Sequence, residues 1–134
     1  MHLAPGDIPE LLRAAKTVAI VGVSDKADRA SHAVAKHLLE NSDYELFFVN
    51  PLLESVLGQK VYASLSEIGT HIDIVDVFRK PADCLAILEE SIAIGADAIW
   101  LQLGISVPEV ATHGSKAGLS VVMDRCIKID YAAL

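Results

Sequence analysis

The alternation of apolar runs with amphipathic segments constrains this chain more than any other feature. Five runs rich in Val, Ile and Phe predict β-strands at residues 18–23, 45–50, 72–78, 98–103 and 120–123. Most of these runs lack polar alternation, which is typical of parallel strands buried on both faces. Helical patterns lie between them, near residues 31–41, 65–69, 81–94 and 107–117. This order predicts an α/β fold with a doubly wound, mainly parallel five-stranded sheet and helices on both faces, similar to the Rossmann fold.

Signals at the helix ends support this interpretation. Asp7, followed by Pro9 and Glu10, is typical of a helix start, and residues 64–67 and 106–109 match the capping box. Gly95 and Gly118 suit the position just after a helix. No internal repeat or linker interrupts the 134 residues, so we expect one domain over residues 1–134.

Composition and charge exclude several classes of protein. A net charge of −7 argues against nucleic acid as a partner, because binding to the phosphate backbone needs a basic face. No apolar run reaches the roughly 18 residues of a membrane span, and the N-terminus does not resemble a signal peptide. Two cysteines are too few for a zinc cage and suggest a reducing compartment. We therefore expect a cytoplasmic protein with no metal, nucleic-acid or membrane partner.

The positive charge of this acidic chain is concentrated after the predicted strands. In doubly wound sheets, ligands bind outside the carboxyl ends of the strands. Of the 11 Lys and Arg residues, six follow strand ends: Lys26, Arg29, Arg79, Lys80, Arg125 and Lys128. Such an edge would attract a polyanion. The alternative is that these residues are simply solvated in loops.

The first strand–turn–helix, at residues 17–40, departs from the dinucleotide-binding fingerprint. Gly22, Ser24 and Ala27 stand where three glycines are expected. Gly22, the hydroxyls of Ser24 and Ser31, the Arg29 guanidinium and the start of the helix could still hold a phosphate. Ser31 could equally be an ordinary N-cap.

The second strand argues against NAD as the ligand. It ends in "FFVNP", so Asn50 stands where a NAD site expects a carboxylate for the ribose hydroxyls. A ligand with several phosphates and no need for that carboxylate suits the chain better.

Six segments carry a family resemblance: "VAIVGVSDKADRASHAVAKHLL", "FFVNP", "LGQKVYASLSEI", "DIVDVFRK", "GADAIWLQLG" and "GLSVVMDRCIKI". Together they span nearly the whole chain, and "WLQLG" and "VMDRC" are the most specific. The chain resembles small, Rossmann-type coenzyme A-binding proteins related to the CoA-binding domain of succinyl-CoA synthetase α subunits. Ala30 departs from the pattern, since similar sequences tend to carry proline there.

The resemblance and the strand-end rule together give the expected site. Its cofactor is coenzyme A (CoA) or an acyl-CoA. The expected binding residues are Gly22, Val23, Ser24, Lys26, Arg29, Ser31, Asn50, Pro51, Phe78, Arg79, Lys80, Gln102, Leu103, Gly104, Arg125 and Cys126.

No catalytic motif is evident: the chain lacks G-x-S-x-G, H-E-x-x-H and a P-loop, and its five histidines are scattered. The second synthetase domain, with its phosphorylated histidine, is not expected in these 134 residues. We expect a non-catalytic CoA-binding protein with a carrier, sensor or regulatory role. The alternative is an enzyme that acts on a CoA thioester or another nucleotide-containing substrate.

Individual polar residues carry more specific expectations. Asp76 is expected either to orient Arg79 or a loop amide or to act as a buried cap. Asp124 is expected to pair with a neighbouring arginine rather than to abstract a proton. Cys84 and Trp100 are expected in the core. Cys126, beside Arg125, is either a reactive thiol at the ligand edge or a buried, inert one.

Overall fold

The computed structural model describes all residues from Met1 to Leu134 and contains one seven-stranded sheet. Its strands are β1 Thr17–Val21, β2 Glu45–Val49, β3 Ser55–Val56, β4 Gln59–Tyr62, β5 Ile74–Val77, β6 Ala98–Leu101 and β7 Ser120–Val122. The strand order is β3-β4-β2-β1-β5-β6-β7. All neighbours are parallel except the antiparallel pair β3–β4. The predicted fold class is therefore confirmed.

The predicted number of five strands is wrong, because β3 and β4 form a hairpin that the apolar pattern does not reveal. The two strands pair through Ser55 with Lys60 and Val56 with Gln59. Leu57 and Gly58 form the turn, with φ of 53° and 74°. This segment is short and largely exposed, so it lacks the long apolar run on which the prediction rested.

Five α-helices surround the sheet: α1 Ile8–Ala14, α2 Ala30–Asn41, α3 Pro81–Ala93, α4 Pro108–Lys116 and α5 Ile127–Ala132. Single 3-10 turns occupy Pro5–Asp7 and Leu65–Glu67, the second in place of the helix predicted at 65–69. Helix α5 was not predicted from the sequence, because its six residues are too few to show a clear helical period.

The predicted helix ends are only partly correct. Gly95 and Gly118 lie directly after helix C-caps with φ of 72° and 90°, as expected. Asp7 and Ser64 are the N-cap residues of α1 and of the 3-10 turn, as predicted, but neither side chain makes the expected cap hydrogen bond. Val107 rather than Ser106 precedes α4, because Pro108 already supplies the first helical position.

The core consists of two layers, one on each face of the sheet. Alternate residues of β1 divide between them: Ala19 and Val21 belong to a cluster of 19 buried residues, which also contains residues of α3 and α4. Val18 and Ile20 belong to a cluster of 16 buried residues, which also contains residues of α1, α2 and α5. Each large apolar side chain buried in this way contributes about 1.5–3 kcal/mol. The strands are therefore held rigidly, and the loops at their carboxyl ends lie on a fixed base.

Trp100 and Cys84 lie in this core, as predicted. Both are fully buried, and the Trp100 indole N–H donates to the Arg125 carbonyl at 2.8 Å. None of the helices has the length and apolar composition that a membrane crossing requires.

Candidate ligand-binding site

The chain changes direction across the sheet beside β1. After β1 it moves outward to β2, β4 and β3, and it then returns to β5 on the other side of β1. Backbone hydrogen bonds join the ends of β1, β2 and β5. The Gly22 N–H donates to the Val49 carbonyl, and the Phe78 N–H donates to the Val21 carbonyl, each at 2.9 Å. This is the switch point at which doubly wound sheets bind their ligands.

Gly22 is required here by the neighbouring strand. It has φ +87°, and a Cβ built on it would lie 2.6 Å from the Phe78 carbonyl oxygen and 2.9 Å from Arg79 Cδ. Both the positive φ and the close contact exclude a side chain. The turn therefore keeps its first glycine so that β1 and the end of β5 can approach each other.

A cavity of about 320 Å³, here named the α2 cavity, lies between this turn and the start of α2. Its lining residues are Gly22, Ser24, Lys26, Arg29, Ala30, Ser31 and Phe78. Six of them belong to the predicted binding residues, and two carry a positive charge. The first backbone N–H groups of α2 have no acceptor within the helix. The cavity thus combines amides, hydroxyls and cations, the donor set that a phosphate prefers.

Hydrogen bonds within the loop fix both serines of this cavity. The Ser24 amide donates to Ser31 Oγ at 3.0 Å, and the Lys26 amide donates to Ser24 Oγ at 3.1 Å. Arg29 is the N-cap residue of α2, so the interpretation of Ser31 as an N-cap is wrong. Because both hydroxyl oxygens accept these bonds, their hydrogens are free to donate to a ligand.

A second cavity of about 210 Å³, the α3 cavity, adjoins the same glycine on the other face. Its lining residues are Val21, Gly22, Val49, Pro51, Ala63, Ser64, Leu65, Arg79, Asp83, Ala86, Ile87 and Glu90. Only three of these residues, Gly22, Pro51 and Arg79, were predicted from the sequence. Residues 63–65 were missed because the β3–β4 hairpin, which leads into them, was missed. Half of the lining is hydrophobic, so this cavity can take a flat, weakly polar group.

Asn50 braces the loops rather than pointing into either cavity. Its side-chain amide donates to the Val23 carbonyl at 2.9 Å, and its oxygen accepts from the Leu52 amide at 2.9 Å. Val23 is fully buried. Asn50 and Val23 therefore support the loops that form the site without lining either cavity.

The expected residues after β6 and β7 line neither cavity. The buried Gln102 accepts a hydrogen bond from the Ile127 amide at 3.1 Å, and Leu103 is exposed. Arg125 binds both oxygens of Asp130, at 2.8 and 2.7 Å, which raises the pKa of Arg125. Cys126 is half-buried at the N-cap of α5.

Two more of the expectations change with the structure. Asp124 accepts from the Gly104 amide at 2.7 Å rather than pairing with an arginine. The exposed Lys80 is the N-cap residue of α3 and lines neither cavity.

Asp76 has no hydrogen-bond partner, so the expectation that it orients Arg79 is wrong. Its carboxyl group is fully buried on β5, and burial raises its pKa well above the ordinary value. The partner of Arg79 is Asp83, at 2.9 Å. Burial therefore favours the protonated, neutral form of this carboxyl group within the central sheet.

At the opposite, amino end of the sheet, His71 lies between two carboxylates. Its Nε2 is 3.0 Å from Asp97 and 3.4 Å from Asp73. The hydrogen bond to Asp97 and the charges of both carboxylates raise the pKa of His71. The three groups lie within 4.8 Å of one another, a spacing that a metal ion could use and that sequence analysis did not predict. The ion pairs of His71 with Asp73 and Asp97 are enough to explain this arrangement without a metal ion.

Comparison with known proteins gives a consistent picture. The family described as "CoA binding domain" matches residues 16–132. The uncharacterized protein YneT of Bacillus subtilis is 39% identical over 126 residues, which cover 94% of this chain and 93% of that protein.

Two solved structures are also similar. A hypothetical protein from Pyrococcus horikoshii is 37% identical, with a TM-score of 0.91 over 98% of this chain and 92% of that one. A Thermus thermophilus protein is 32% identical, with a TM-score of 0.90 over 98% of both chains.

Proposed function

This chain belongs to the CoA binding domain family, and from that premise we propose that it binds coenzyme A or a short acyl-CoA without transforming it. The binding would serve a carrier, sensor or regulatory role. We extend the proposal to one CoA-binding domain over residues 1–134 and to a cytoplasmic location, which the two free cysteines favour.

The observation that carries the proposal is the pair of cavities that share Gly22. One is lined by cations, hydroxyls and helix amides, and the other by apolar groups with a few polar ones. CoA has matching parts, since a pyrophosphate is joined to a flat adenine through a ribose. We assign the phosphates to the α2 cavity and the adenine to the α3 cavity, where the Glu90 carboxylate provides an acceptor for its amino group.

The end of β2 supports CoA over NAD. A NAD site needs a carboxylate there for the ribose hydroxyls. Asn50 occupies that position, and its amide is already engaged with Val23 and Leu52. Titration calorimetry with both ligands tests the choice, and tighter binding of NAD would contradict the proposal.

The environment of the two thiols favours binding over thioester chemistry. Cys84 is buried, its thiol donates to the Lys80 carbonyl at 3.5 Å, and burial and the charge of Asp83 raise its pKa. Cys126 lines neither cavity. Incubation with acetyl-CoA followed by mass analysis tests the alternative, since an enzyme would release acetate or acquire an acetyl group.

Native mass spectrometry of the protein as purified from cells is the direct test of the function. We expect a bound species with the mass of CoA or of an acyl-CoA. Retention of a different nucleotide, or failure to bind CoA added in excess, would overturn the proposal.

A further inference from the structure

The Arg79 side chain lies at the boundary between the two cavities. Its Cγ and Cδ pack over Gly22, within 3.2 and 2.9 Å of the position that a Cβ would take. Gly22 lines both cavities, and Arg79 is the only cation that lines the α3 cavity. A ligand that occupies both cavities therefore passes close to the Arg79 side chain, whose guanidinium is near enough to be recruited by it.

Asp83, in the first turn of α3, holds this guanidinium through a single oxygen. Arg79 Nη2 and Nε lie 2.9 and 3.3 Å from Asp83 Oδ2. The side chains are 42% and 31% exposed, so water screens the pair and it is weak. The guanidinium can leave Asp83 by rotating its outer bonds while its stem stays over Gly22.

A phosphate is a better partner than Asp83 for this guanidinium. The planar fork of arginine matches two phosphate oxygens, whereas Asp83 offers it one carboxylate oxygen. Asp83, once released, remains stabilised by the positive end of the α3 dipole, because it lies in the first turn. Exchange of partners therefore leaves neither charge without stabilisation.

We propose that Asp83 competes with the ligand's phosphate for Arg79 and so sets the affinity of the site. This inference rests on the proposed function, because it needs a phosphate-bearing ligand that extends across the α2 and α3 cavities. Asp83 itself would make no contact with the phosphate. It would act as a specificity-determining residue, by weakening the binding of every ligand that must recruit Arg79.

Calorimetry of CoA binding by four proteins tests the proposal: the parent, Asp83→Asn, Arg79→Ala and the double variant. Asp83→Asn should bind CoA about two- to five-fold more tightly, the range of a screened ion pair. Arg79→Ala should bind more weakly, and Asp83→Asn should bring no gain in the Arg79→Ala background. Adenosine, which has no phosphate, should bind equally to the parent and Asp83→Asn.

Two controls separate competition from simpler effects. Glu89→Gln removes the same charge from an exposed position of α3 and should leave CoA affinity unchanged. Equal thermal unfolding of all variants would show that they are folded. The proposed competition is wrong if Asp83→Asn binds CoA no more tightly than the parent, or if Asp83→Asn raises CoA affinity equally in the Arg79→Ala background. Failure of the parent to bind CoA would overturn the proposed function as well, so the two failures are distinguishable.

Discussion

Ser24 and Ser31 close the loop between β1 and α2: the Ser24 amide donates to the Ser31 hydroxyl oxygen at 3.0 Å. The bond spans seven residues and gives the α2 cavity its shape without a second glycine. A serine pair thus replaces the glycine-rich turn of dinucleotide sites. The same hydroxyls would be free to donate to a phosphate.

Ser31→Ala should therefore impair both the loop and the ligand site. It leaves the Ser24 amide without its acceptor, so the free energy of unfolding should fall by about 1 kcal/mol. CoA affinity should fall about five- to ten-fold, because a donor is lost and the loop loosens. Chemical denaturation and calorimetry measure the two effects.

Ser91→Ala is the matched control for Ser31→Ala. Ser91 is also buried in a helix, but its hydroxyl donates to the Ile87 carbonyl of the same helix. Its replacement should leave CoA affinity unchanged. Equal losses of affinity in the two variants would indicate a general effect of stability.

Gly22→Ala should be far more destabilising than Gly58→Ala. The new Cβ would lie 2.6 Å from the Phe78 carbonyl, at a φ of +87°. Gly58, at a φ of +74°, has no atom within 4 Å of a built Cβ and is the control. Gly58→Ala should lose about 1–2 kcal/mol from the left-handed backbone alone. In chemical denaturation, Gly22→Ala should lose clearly more free energy of unfolding than Gly58→Ala. Similar losses in the two variants would refute the close contact.

Asp76 should make the protein less stable as pH rises. Its pKa is raised by burial in the folded state, so the unfolded chain releases this proton first. The contribution of Asp76 to the free energy of unfolding is fully present below its ordinary pKa of about 3.9. Between that pH and the raised pKa, the contribution falls by about 1.4 kcal/mol per pH unit. Asp76→Asn removes this slope, so its stability relative to the parent should improve steadily as the pH rises above the ordinary pKa of about 3.9, and should level off once the raised pKa is passed. Parallel curves for the two proteins would show that Asp76 does not titrate in this way.

The strand ends were predictable, because buried parallel strands have a clear apolar signature. That signature alone places Gly22, Phe78 and Arg79 at one edge of the sheet. The signal for the α3 cavity was weaker. Its 63–65 wall follows the β3–β4 hairpin, whose strands have only two and four residues.

The partner of Arg79 could have been found from sequence spacing. Arg79 and Asp83 are four residues apart at the start of a predicted helix, where such pairs meet. The absence of a hydrogen-bond partner for the Asp76 carboxyl group could not have been predicted from the sequence, because it depends on how the surrounding residues pack in three dimensions. Likewise, the position of Cys126 outside both cavities follows from the turn into α5, which the sequence pattern does not reveal.

Arg29→Ala tests the assignment of the phosphates to the α2 cavity. Arg29 is the only guanidinium that lines this cavity, and its planar fork suits a pair of phosphate oxygens that lysine would hold only as a point charge. Charge-assisted bonds of this kind contribute about 1.5–3 kcal/mol, so CoA affinity should fall roughly 10- to 150-fold. Arg29→Lys should recover only part of this loss.

The stability of Arg29→Ala should change by about half a kcal/mol at most, because the exposed Arg29 side chain makes no ion pair. Arg13→Ala is the matched control, since Arg13 is an exposed arginine in the last turn of α1 and lines neither cavity. It should bind CoA like the parent. If folded Arg29→Ala also binds CoA like the parent, the phosphates must lie elsewhere along the strand ends. Arg79 would then be the cation to replace next, because it lines the α3 cavity and its stem packs over Gly22, which both cavities share.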